Sequence, residues 1–166
     1  MVDKVFHVLF LSRRNSARSI MAESVLNGLK NPHFVAYSAG TDPAPEIEPD
    51  TTELLQQAGL NTEGLHPKHF KEFGEKGARE LDFVFTLYDE QAGEPLPEWP
   101  GMPITAHWAS TDPVQAEGEP WERKQAFSRA LMELDRRLKI FTNLPLSSLD
   151  RLSVQSHVDE IGRSNP

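Results

Sequence analysis

The run Val5–Leu11 is apolar apart from His7, and it gives way at once to a polar turn, Ser12–Ser16, and then to a helical pattern. A short continuous apolar run of this kind is a strand buried on both faces, the usual state of a parallel sheet covered by helices. After the turn, Ile20, Met21, Val25, Leu26 and Leu29 share one helical face, so a helix is predicted over Ala17–Leu29, stopped by Asn31-Pro32. In open α/β sheets ligands sit beyond the carboxyl ends of the strands, and the Ser12–Ser19 turn lies at such an end.

The rest of the chain alternates in the same way. Phe34–Ser38, Phe83–Leu87 and, more weakly, Met102–Ala106 are strand candidates. Asp50 as N-cap and Gly59 at the far end bound a short helix, Thr51–Ala58. Leu65–Phe73 is ambiguous, with Phe70 and Phe73 expected to face inward. Thr41–Pro49, Gln91–Gly101 and Asp112–Pro120 are loops. A long helix is predicted over Trp121–Phe141, with Phe127, Ala130, Leu131, Leu134, Leu138 and Phe141 as its stripe. A tail helix over Leu149–Ile161 should stop at Gly162. Alternating strands and helices define an α/β domain with a mainly parallel sheet.

At 166 residues the chain makes one domain of ordinary size, able to bury a core without staples. Apolar residues at 38% and charged residues at 25% exclude a disordered chain. No apolar run approaches the roughly 18 residues of a membrane span, and the first strand lacks the features of a signal peptide, so a cytoplasmic location is expected. There is no cysteine, which removes disulfides, thiolate metal sites and thiol chemistry. Charge is uneven: the whole chain carries −8, residues 1–37 carry +3 and the remainder −11. Such a chain is a poor binder of nucleic acid, and its basic cluster suggests a local anion site or, failing that, three solvated arginines.

The turn itself carries the chemistry. Backbone N–H groups at a helix start, reinforced by the helix dipole, favour an anion. Arg18 adds a planar fork suited to a tetrahedral oxyanion, and Ser12, Ser16 and Ser19 add hydroxyls. The candidate anion-binding residues are Ser12, Arg13, Arg14, Asn15, Ser16, Ala17, Arg18 and Ser19. An ordinary capped strand-to-helix turn is the alternative.

The pattern strand, one residue, five residues, Arg-Ser, helix resembles the phosphate loop of the low-molecular-weight tyrosine phosphatase and arsenate reductase family, which reads Cys, five residues, Arg, Ser or Thr. Asn15–Glu23, Ser38-Ala39-Gly40-Thr41, Trp99-Pro100-Gly101, and His107-Trp108 followed by Asp112-Pro113 are similar to the arsenate reductase branch in order and spacing. The resemblance runs from about residue 5 to residue 142. It implies a three-layer αβα, flavodoxin-like fold with a four-stranded parallel sheet, here with an extra C-terminal helix. The expected division is residues 1–144 as the phosphatase-like domain and 145–166 as a helical tail.

The departures from the family matter as much. The nucleophilic cysteine position is Ser12. The two further cysteines of the reductase branch correspond to Tyr88 and Leu96. Without them the thiol-coupled reduction of arsenate has no route. A cradle that pulls a thiol down to a thiolate leaves an alkyl hydroxyl protonated, because the hydroxyl starts several units higher, and serine nucleophiles need an adjacent base. Asp112 matches the family's general acid, or else simply starts a turn before Pro113. Arg13 and Arg14 stand where the family usually has small residues; they either widen the positive rim or obstruct it. If the turn needs φ > 0 at Arg14, that residue carries a cost glycine avoids. Loss of cysteine at three separate places reads as divergence rather than a single engineered trap, with a deliberately cysteine-free variant as the alternative.

Other candidates are weaker. His66 and His69 lack a third ligand for a metal, and no metal or cofactor is expected. Trp99 and Trp121 could rim the cleft or simply pack. The tail's Leu149, Leu152, Val158 and Ile161 form a stripe that needs its own domain or a second chain, and homodimerisation through it is one expectation. The leading expectation is a protein that binds phosphate, arsenate or a sulfate-like oxyanion, free or on a phosphorylated protein, without catalysis. Its rivals are an enzyme using Ser12 or an Asp112-activated water, and an interaction protein acting through its tail.

Overall fold

Four parallel strands form one sheet in the order β2-β1-β3-β4. The strands are β1 (Phe6–Ser12), β2 (Phe34–Gly40), β3 (Phe83–Thr86) and β4 (Ile104–His107). The computed structural model describes residues 4–75, 77–88 and 99–163. β1 pairs with β2 over its full length, bringing Ser12 opposite Gly40, and pairs with β3 from Val8 to Leu11.

Side chains along β1 alternate between two cores, as the pleat requires. Val8 and Phe10 join a cluster with helices α1 (Arg18–Gly28), α4 (Pro120–Thr142) and α5 (Arg151–Arg163), and with Leu55 of α2 (Pro49–Gln57). Leu9 and Leu11 point the other way, against Phe70, Leu81, Val84, Tyr88 and Trp99, with Phe73 of the one-turn helix α3 (Lys71–Gly74) packed alongside. This is the expected three-layer αβα arrangement. Its densest part is aromatic: Phe85 stacks on Trp108 at 4.0 Å between ring centres, and Phe141 meets both edge-on.

Several element ends differ from expectation. Glu48, not Asp50, precedes α2; Pro49 takes the first helical position, where its missing N–H costs nothing, and Asp50 falls in the first turn. α4 starts one residue earlier than predicted because Glu119 and Glu122 form a reciprocal capping box ahead of Pro120. β4 begins at Ile104, leaving Met102 outside it, exposed and at a positive φ of 49°. The ambiguous Leu65–Phe73 segment places His69 in a bridge to Gly40 and then turns into α3. The loop after Thr111 contains a 3-10 turn, Pro113–Gln115.

The tail packs on the domain. A 3-10 turn, Leu146–Ser148, leads to α5, which Asp150 opens by accepting the Ser153 N–H at 2.7 Å. α5 runs through Gly162 instead of stopping there. Val154, Val158 and Ile161 are buried in the main core, whereas Leu152 is 83% exposed. The Trp108 indole donates to the Val158 carbonyl at 2.9 Å. Among the described residues, no helix is long and apolar enough to cross a membrane.

Candidate functional site

The turn between β1 and α1 is built by turning its carbonyls outward. The Ser12, Arg13 and Arg14 carbonyls accept from the N–H groups of Thr41, Asp42 and Ala44, and the Ser16 carbonyl accepts from Glu48 N–H and from the Thr51 hydroxyl. The proline-rich loop thus straps the outside of the turn. With the carbonyls tied outward, the N–H groups of Arg14, Ser16, Ala17 and Arg18 find no acceptor among the described residues. That is the arrangement of an anion-binding nest at a helix start. Gly40 permits the close approach: a Cβ there would lie 2.8 Å from the Arg13 carbonyl oxygen and 3.0 Å from the Asn15 Cβ.

Asn15, fully buried, is the hub of the turn. It is the left-handed residue, with φ of 49°, a conformation asparagine tolerates better than most. Arg14 is not left-handed and bears no such cost. The Asn15 N–H donates to Ser12 Oγ at 3.1 Å, and its side-chain amide donates to Ser19 Oγ at 2.7 Å. Its Oδ1 accepts the Lys68 N–H at 2.9 Å, tying the turn to the segment before α3. The Ser12 and Ser19 hydroxyls share a hydrogen bond of 2.6 Å. Every partner of the Ser12 hydroxyl is therefore a hydroxyl or an amide; none is a base.

Arg18 is 7% exposed. Its Nη1 donates to the carbonyls of Leu87 (2.8 Å) and Ser110 (2.9 Å), and its Nη2 lies 3.7 Å from Asp112 Oδ2. Burial pulls its pKa below the ordinary arginine value, while Asp112 works in the opposite direction. Asp112 also uses Oδ1 to accept the Val114 N–H at 3.0 Å, which fixes the 3-10 turn behind it. The carboxylate and the guanidinium thus meet at the same cleft.

That cleft is open, about 630 Å³, and Arg13, Arg14, Ser16, Arg18, Tyr88, Ser110 and Asp112 are among its walls. Arg14 is held at the rim by Asp42, its Nη1 at 2.9 Å from the carboxylate, and Arg13 is exposed. Neither closes the cleft. Burial raises the Tyr88 phenol pKa, so it stays a neutral wall. Trp99 and Trp121 do not rim the cleft: Trp99 is buried edge-on to Phe70, and Trp121 is 65% exposed at the start of α4. Leu96 lies outside the described residues. His66 and His69 are engaged separately, His66 with the Gly64 carbonyl and His69 with the Lys71 N–H. Among the described residues no three ligating side chains group for a metal.

Sequence reasoning missed Asp42, Ser110 and the strap at Glu48, because a partner 28 or more positions away leaves no local signal. Only the prolines in 41–49 hinted at a rigid segment there.

A parallel α/β sheet with an N–H-lined turn at the end of the interior strand β1 and an arginine buried beside it is the frame of this site. The family model for low molecular weight phosphotyrosine protein phosphatase matches residues 7–144, and the chain belongs to that family. It is 28% identical over 134 residues to an arsenate reductase of Halalkalibacterium halodurans, covering 81% of this chain and 93% of the relative. Among solved structures, it is similar to an arsenate reductase from Archaeoglobus fulgidus, with 26% identity, a TM-score of 0.63, and 80% and 95% of the two chains covered. A thioredoxin-dependent arsenate reductase of Corynebacterium glutamicum has the same fold at 24% identity and a TM-score of 0.62; the match covers 89% of this chain and spans 66% of that one. The chain contains no cysteine.

Proposed function

We propose that this chain is a non-catalytic member of its family that binds a phosphate-type oxyanion (phosphate, arsenate or sulfate) in the 12–19 turn, either free or carried on a phosphorylated protein. The observation that carries the reading is that the N–H groups of Arg14, Ser16, Ala17 and Arg18 have no acceptor among the described residues while the carbonyls of the same turn are tied outward. Arg18 stands at the edge of the nest and would add the charge that the backbone lacks. The family relatives, named as arsenate reductases, support a tetrahedral oxyanion as the ligand.

Catalysis by Ser12 is disfavoured by its surroundings. An activated serine needs a base within hydrogen-bond reach, and here the hydroxyl is held by Ser19 and the Asn15 N–H. Asp112, at the position the family resemblance gives to a general acid, faces Arg18 and would have no activated nucleophile to serve. A homodimer through the tail would have to use the outer face of α5 around Leu152, because Val154, Val158 and Ile161 are buried within the chain.

The test is calorimetric titration of phosphate and arsenate into the wild type and into Arg18→Ala, with para-nitrophenyl phosphate turnover followed in parallel. Sub-millimolar binding that weakens about tenfold or more in the variant, without turnover, supports the reading. No binding by the wild type, or turnover abolished by Ser12→Ala, overturns it.

A further inference from the structure

We propose that a second groove, between the 3-10 turn and α4, is a ligand site for a small molecule with an apolar, ring-sized body and one acidic group. It is a cavity of about 640 Å³ on the far side of Asp112 and Gln115, which it shares as a dividing wall with the oxyanion cleft. None of the N–H groups of the nest belongs to it, so it stands independently of the function proposed above.

The hollow exists because α4 presents Ala126 and Ala130 to the turn, side chains too short to reach Pro113 and Ala116 opposite. It is pre-formed. Arg123 holds the turn from one side, donating to the Val114 carbonyl at 2.9 Å while pairing with Asp50 at 2.9 Å and Glu48 at 3.2 Å. Arg18 holds it from the other through Ser110 and Asp112. A pre-formed apolar hollow with a few convergent polar groups is the usual form of a small-molecule site.

The charges at its edge select the sign of the ligand. Both carboxylates that line it are engaged by arginines from outside: Glu133 lies 3.0 Å from buried Arg137, and Asp112 faces Arg18. Arg129 is exposed at the edge, and no carboxylate among the described residues lies within ion-pair distance of it. In a chain of net charge −8, an arginine left without a carboxylate beside an apolar hollow is suited to an incoming anion.

The probe is 8-anilinonaphthalene-1-sulfonate, a fused-ring body with a single sulfonate, titrated by fluorescence into the full chain. Saturable one-to-one binding is expected, weakened about tenfold or more by Arg129→Glu, which reverses the edge charge, and by Ala126→Trp, which fills the hollow. Both variants should keep the wild-type melting curve and phosphate affinity. Absence of saturable binding to the wild type, or undiminished binding by either variant, overturns the proposal. Loss of phosphate binding in the wild type with dye binding intact would sink the oxyanion reading alone.

Discussion

The Ser12 and Ser19 hydroxyls sit 2.6 Å apart, each also accepting a hydrogen bond from Asn15. One of the two hydroxyl protons bridges the pair, and Asn15 donates to both oxygens. Such a pocket stabilises an anion at position 12 and has nothing that would remove a proton from a serine there.

Ser12→Cys follows from that asymmetry. A thiol starts near pH 8.5, and donors of this kind lower thiol values to about 3.5–7.5. The variant's single cysteine should react with iodoacetamide at pH 6.5 faster than free cysteine does, and millimolar phosphate should slow it. Alkylation no faster than free cysteine, or insensitive to phosphate, would show that the N–H groups do not converge on position 12.

Asp112→Asn should tighten phosphate binding. Asp112 is an internal anion 3.7 Å from Arg18 Nη2, competing with the ligand for the same guanidinium. Because Asp112 is partly solvated, the gain is modest, about three- to tenfold at low salt and smaller as salt rises. Calorimetry at two ionic strengths measures it; a weaker affinity in the variant would contradict the competition.

Arg137 lies 3.0 Å from Glu133 and donates to the carbonyls of Trp108, Ala109 and Gly162, joining α4, the segment leading to Asp112, and the end of α5. It is 3% exposed. Arg137→Met strands Glu133 and the carbonyls, a loss of about 3–5 kcal/mol for breaking a buried pair. Urea unfolding reads this directly, and a change under about 1 kcal/mol would mean the pair is well solvated.

His7 supplies a pH dependence. Burial lowers its pKa below 6.5, helped by Arg79 and Lys4 and opposed by Asp82, and its Nδ1 lies 3.0 Å from the Tyr37 hydroxyl. The folded state therefore binds the His7 proton less readily than the unfolded state. Its stabilising contribution is complete above pH 6.5 and is lost as pH falls through the depressed folded value. His7→Gln should flatten the stability profile below pH 6.5 in chemical unfolding; an unchanged slope would assign the dependence elsewhere.

The candidate site was legible as far as local sequence reaches. The apolar run into β1 and the hydroxyls and Arg18 on the turn all lie within one short segment, where period and residue type speak directly. The strap was not legible. Asp42, Ala44, Glu48 and Thr51 act through backbone bonds and hydroxyls that leave no pattern of their own. Likewise, Asp50 looked like a cap by residue type, and Gly162 like a stop, but Pro49 and the packing of α5 against β4 overrode both local preferences.

The sequence alone determined the α/β alternation, the buried central strand and the removal of thiol chemistry, because each depends on side-chain type and spacing along the chain. The tertiary structure decided where the charges point: Arg14 outward to Asp42, Arg18 inward to Ser110 and Asp112, and Arg137 beneath the same segment. A long flexible cation can reach many acceptors from one position, and only the folded arrangement of distant carbonyls and carboxylates selects among them.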